Sequence, residues 1–86
     1  MNLIQKIDII CDKLIIIVDS IKLIKQYTSN NAEQLQSILA VALHYCHVLI
    51  TIKDISMKDD LSEYKKEIKE QIGIIEKFID LTEDLI

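Results

Sequence analysis

From Leu3 to Ile24 an aliphatic residue recurs at alternating spacings of four and three: Leu3, Ile7, Ile10, Leu14, Ile17, Ile21 and Ile24. A strand would scatter this series over both of its faces, whereas a helix turning about 100° per residue gathers all seven into one stripe. The spacing predicts a helix carrying a coiled-coil seam, widened on one side by Ile4, Cys11 and Val18.

Little else in the chain resists helix. Its 86 residues include no proline and a single glycine, Gly73. Three places pair an Asn or Asp with a Gln or Glu three residues later: Asn2–Gln5, Asn30–Glu33 and Asp60–Glu63. In that arrangement the first side chain accepts from the opening turn's unpaired amides and the fourth reaches back. These signals divide the chain into helices at about 3–28, 31–56 and 61–86, each about 25 residues and about 38 Å long. The connections, "TSNN" and "MKDD", are short and polar, so consecutive helices are antiparallel neighbours. The expected fold is all-α: one domain over residues 1–86, three long helices running up, down and up. No internal repeat, linker or low-complexity segment breaks it.

The second helix contains "ILAVALHYCHVLI", residues 38–50, which reads at first as a membrane segment. On a helical wheel Leu35, Ile38, Leu39, Ala42, Tyr45, Cys46, Leu49 and Ile52 form its main face. Val41, Val48 and Ile55 extend that face one way, Leu43 and Ile50 the other. A narrow polar wall remains, formed by Gln36, Ser37, Ala40, His44, His47, Thr51 and Asp54. With both histidines in that wall, the segment is expected to be the central helix of the bundle rather than a span. "LIIIV" at 14–18 is far short of the roughly 20 apolar residues a bilayer requires. The third helix gathers Leu61, Tyr64, Ile68, Ile72, Ile75, Phe78, Ile79 and Leu85 on one face, with Ile74 and Leu81 to the side.

The chain holds more aliphatic surface than three helices can bury among themselves. Nineteen Ile, ten Leu and three Val compete for roughly twenty seam positions, at two per heptad in each helix. On helix 1 the surplus is a second stripe, Ile9, Ile16 and Leu23, nearly opposite the first. Asp8, Asp12, Asp19 and Gln26 separate the stripes on one flank, and Lys6, Lys13 and Ser20 on the other. Because contiguous exposed apolar surface marks interfaces, another chain is expected to complete the bundle, most economically a second copy in a homodimer. Ile9, Ile16, Leu23, Ile74 and Leu81 are the candidate interface.

Several functions are disfavoured by composition. The net charge is −4 and all ten cationic side chains are Lys, so the chain lacks the Arg favoured for phosphate and base contacts, and nucleic acid is not an expected partner. "YKKEIKE" at 64–70 reads as a solvated face of alternating charge. Two cysteines, Cys11 and Cys46, and an N-terminus without a secretory pattern suggest reduced thiols and a cytoplasmic location. The two are expected at similar heights on facing helices, where a disulfide is conceivable but helix spacing disfavours it.

His44 and His47 could share a metal ion, with Cys11 and Glu70 brought level from the other helices. Cys46, however, points to the core and the histidines away from it, so no metal or cofactor site is assigned. Ser37 and His44 lie two turns apart, no Gly-rich loop presents amides to an oxyanion, and Asp59/Asp60 and Glu83/Asp84 sit at helix ends where capping explains them. No catalytic residue is assigned and the chain is not expected to be an enzyme. The residues fit an intracellular protein–protein interaction module of adaptor, chaperone, antitoxin, immunity or inhibitor type that binds itself and another protein. One alternative is a helical protein docked on a membrane surface, opposed by the acidic flank of helix 1 and the absence of Trp. The other is a metal-binding helical oligomer using His44 and His47.

Overall fold

The computed structural model describes residues 2–27 and 32–85. It contains α1 (Leu3–Tyr27), α2 (Ala32–Lys58) and α3 (Lys65–Leu85), with one turn of 3-10 helix at Ser62–Tyr64 leading into α3. The connection at residues 28–31 lies outside the described residues, and with it the Asn30 half of the second expected cap and the expected first-helix end and second-helix start. The three helices pack as a bundle in a rod of 46 × 20 × 19 Å.

Local signals behave differently at the two described helix starts. At α1 the reciprocal cap forms: the Gln5 amide donates to Asn2 Oδ1 at 2.8 Å and the Asn2 amide to Gln5 Oε1 at 3.2 Å. At the third start, Asp60 Oδ1 instead accepts the Ser62 amide, two residues on, at 3.0 Å. That closes an Asx turn, which tightens into the 3-10 turn, and the α-helix begins at Lys65 rather than residue 61. The Ser62 amide also holds the Asp60 carboxyl below its ordinary pKa, because the bond favours the charged form. α2 runs two residues beyond its expected end, to Lys58.

Side-chain pairs fix the directions of the helices. Asp8 meets Lys53 at 2.7 Å, and Lys25 donates to Gln36, so a step forward along α1 is a step back along α2. Lys6 meets Glu76 at 3.6 Å. With α2 and α3 packed edge to face through Tyr45 and Phe78, ring centroids 5.2 Å apart, the order is up, down, up.

The expectation that α2 occupies the centre is corrected. α1 is the inner helix: its backbone approaches both α2 and α3, while those two scarcely approach each other. Ile7, Ile10, Leu14, Ile17, Val18 and Ile21 of α1 are buried, against Leu39, Ala42 and Leu49 of α2. α1 presents two adjoining aliphatic rows, one to each neighbour. On α2, the fully buried Ala42 permits close approach to α1, Leu39 and Leu49 are buried beside it, and Leu35, Ile38, Tyr45, Cys46 and Ile52 pack half-buried against the core, while Val41, Leu43, Ile50 and Ile55 at the edges of the apolar arc are exposed. α2 is long and apolar enough to cross a membrane, yet only 17% of its most apolar window is buried.

On α3 the core is Ile68, Ile72, Ile75 and Ile79, joined by Thr82. Thr82 is 3% exposed and was not expected in the core. Its hydroxyl donates to the Phe78 carbonyl at 2.7 Å, which removes the cost of burying it. Tyr64 and Leu85, expected on the core face, are instead exposed. Each lies near an end of α3, where the neighbouring helices provide less cover.

Candidate interaction interface

The exposed aliphatic residues are organised by the same periodicity that builds the core. On α1, Ile9, Ile16 and Leu23 recur every seven residues and are 43%, 65% and 55% exposed. They lie about 150° around the helix from the centre of its buried rows. Lys6 and Lys13 run beside them toward α3, Asp12 and Asp19 on the opposite side toward α2, all exposed. Within the chain, Lys6 is paired with Glu76 and Asp8 with Lys53, which leaves Lys13, Asp12 and Asp19 immediately beside the stripe.

A second apolar surface follows the line where α2 and α3 diverge. Val41, Tyr45, Val48, Ile52 and Ile55 on α2, and Ile74, Phe78, Leu81 and Leu85 on α3, follow spacings of three and four. The Tyr45–Phe78 contact sits between the two rows. Val41, Ile55, Ile74, Leu81 and Leu85 are exposed. The five candidate interface residues are all exposed, but they divide between two sides of the bundle: Ile9, Ile16 and Leu23 behind α1, Ile74 and Leu81 along the α2–α3 seam. The single interface expected from the sequence is therefore two surfaces. Ile15 of α1 is a further exposed aliphatic residue, at 52%, outside both surfaces. Ile15 falls between Asp8 and Lys22 at heptad spacing, so no apolar series marks it.

The residues considered for chemistry do not converge. His44 and His47 are both exposed on the outer wall of α2. With Tyr45 level with Phe78, His47 lies level with Glu76, and Glu70, expected opposite it, is more than a turn away. Among the described residues no three His, Cys, Asp or Glu side chains gather as metal ligands. Replacing His47 by Ala should change stability by less than about 0.5 kcal/mol, as for other exposed substitutions. Thermal denaturation checks this, and a larger loss would assign the imidazole an interaction beyond the single chain.

Cys11 and Cys46 are free and half-buried. Burial pushes both thiols up from their ordinary pKa. For Cys11 the neighbouring Cys46, Asp8 and Asp12 add to the rise, and Lys53 opposes it. Favouring the neutral form contributes stability below the ordinary thiol pKa, and this is lost as pH rises through the elevated value. At pH 8 both thiols should react with a disulfide reagent severalfold more slowly in the folded protein than in urea, because little thiolate forms and access is restricted. Equal rates in a stopped-flow measurement would contradict their placement.

A groove of about 870 Å³ opens at one end of the bundle, between the start of α1, the α2–α3 connection and the first half of α3. Leu3, Leu61, Ile68 and Ile72 line it, rimmed by Lys6, Lys65 and Lys69 and by Asp59, Asp60 and Glu76. The balanced rim favours neither an anion nor a cation.

No known protein family, curated protein or solved structure matches the chain.

Proposed function

We propose that this chain is a helical protein–protein interaction module that associates with itself and presents a further apolar surface to another protein. The observation that carries the reading is the pattern of exposure. Large aliphatic side chains remain outside the core in ordered stripes on two sides of the rod, at the spacings that helices use to pack. Scattered exposed leucines are ordinary, but an aliphatic residue at three successive heptad positions between charged flanks makes a surface shaped for another helix. Reduced thiols fit a cytoplasmic setting for such a module. No catalytic role is proposed, since the exposed surface supplies contact area rather than convergent polar groups.

One observation favours a second reading. Because α2 is strongly apolar and little buried, a membrane surface could cover it instead of a protein. A single pair of measurements separates the two. A protein interaction module runs as a defined oligomer in light scattering at tens of micromolar and stays behind when anionic lipid vesicles are floated. A membrane-surface protein floats with the vesicles. Flotation of most of the protein would overturn the interaction reading.

A further inference from the structure

We propose that the stripe of Ile9, Ile16 and Leu23 pairs with the same stripe of a second copy, and that the two α1 helices lie parallel and in register. This rests on the self-association reading above and adds the face through which the copies meet and their orientation.

The orientation follows from how charge is divided along α1. When two helices pair antiparallel about a twofold axis, each flank of the contact meets its own counterpart; when they pair in parallel, each flank meets the opposite one. Lys13 lies on one side of the stripe, and Asp12 and Asp19 on the other. An antiparallel pair would set Lys13 beside Lys13 and the aspartates beside aspartates. A parallel pair sets Lys13 of each copy beside the Asp12–Asp19 flank of the other, on both sides of the contact. α1 thus carries both halves of a complementary pattern at one level, which makes a second copy a fitting occupant. Lys6 reinforces the same division, although its pair with Glu76 also ties it to α3.

The fold leaves room for this arrangement. The stripe faces away from both neighbours of α1, so two copies can meet back to back with α2 and α3 on the outside. Ile9, Ile16 and Leu23 would each face their own equivalents. The α2–α3 seam of each copy then points outward, at opposite ends of the assembly, and the dimer offers it twice.

Disulfide trapping tests the orientation. With Cys11 and Cys46 replaced by Ala, and helicity checked, Ile9→Cys and Leu23→Cys are oxidised separately and as an equimolar mixture. A parallel pair brings each introduced thiol opposite its own copy, within disulfide reach. Each variant alone should therefore form a covalent dimer, and the mixture should give little of the 9-to-23 product by mass spectrometry. Dominance of the 9-to-23 product would overturn the parallel arrangement while leaving self-association intact. A dimer in light scattering that forms neither product would overturn this stripe as the contact and leave self-association to another face. A protein that is monomeric at tens of micromolar and forms no covalent dimer would overturn both. The charge argument has its own readout: Lys13→Asp should raise the dimer Kd roughly fivefold or more, and adding Asp12→Lys and Asp19→Lys should restore it. Failure of the swapped variant to recover would sink the role given to the charges.

Discussion

Truncating Ile17 or Leu49 to Ala is expected to cost about 2–5 kcal/mol of folding stability. Ile17 is 2% exposed and sits on the inner helix, with α2 on one side and α3 on the other; Leu49 is fully buried and is one of three buried residues through which α2 holds to α1. Removing either leaves a cavity that straight, packed helices cannot readily close, so the lost transfer energy is joined by a cavity cost. A domain of this size has about 5–15 kcal/mol in total, and about 1 kcal/mol moves its melting temperature by roughly 4–8 °C. Each variant should therefore melt about 8 °C or more below wild type. Ile50→Ala, next to Leu49 but half-exposed, should fall well short of that loss. Thermal denaturation of all three at one protein concentration checks the assignment. If Ile17→Ala or Leu49→Ala melts within a degree or two of wild type, the packing of α1 described above is wrong.

The main apolar faces of both α1 and α2 were legible, every expected member being buried or half-buried, whereas the places of the two helices in the bundle were not, and the difference comes down to what periodicity can encode. All seven members of the α1 seam are buried or half-buried, because a row with neighbours on both sides has no other place to go. For α2, the width of the apolar arc showed how much surface needed covering but not which chain covers it. A surplus of aliphatic residues reads the same whether a helix lies at the centre of its own bundle or at the edge of an incomplete one. The reciprocal cap at Asn2 was legible because it involves four consecutive residues; at Asp60 the same spacing gave an Asx turn instead, because the carboxylate accepts the Ser62 amide two residues on rather than the Glu63 amide three residues on. Thr82 escaped notice as a polar residue, although its place seven residues after Ile75 and three after Ile79 was the available signal. Ile74 and Leu81 were recognised as lying off the core face, but only the Tyr45–Phe78 contact shows which neighbour they lie beside. For the candidate interface, the residues could therefore be chosen from the sequence, while their division into two surfaces required the bundle.

Changing Ile16 to Asp should leave the helices formed and shift the protein toward monomer. Ile16 is the middle and most exposed member of the α1 stripe, at 65%, so in a single chain it contributes little packing that the substitution could remove. Asp is a weaker helix former than Ile by only tenths of a kcal/mol, too little to unfold a helix of 25 residues held by its opposite face. At a twofold contact the effect is doubled: two Ile side chains, each gaining up to about 1.5–3 kcal/mol from burial, are lost, and two carboxylates are brought together. The dimer Kd should rise on the order of a hundredfold. Circular dichroism should stay close to wild type while the light-scattering mass at tens of micromolar falls toward that of one chain. Leu81→Asp, at 59% exposure on the α2–α3 seam, provides the contrast. It should leave the dimer in place, because that seam points away from the α1 contact, and weaken binding of a different protein instead. Were the stripe to serve another protein rather than a second copy, Ile16→Asp would abolish that binding with no change in mass. A wild type that runs as a monomer at tens of micromolar, together with an Ile16→Asp variant that still binds its partner, would remove the stripe from any role in association.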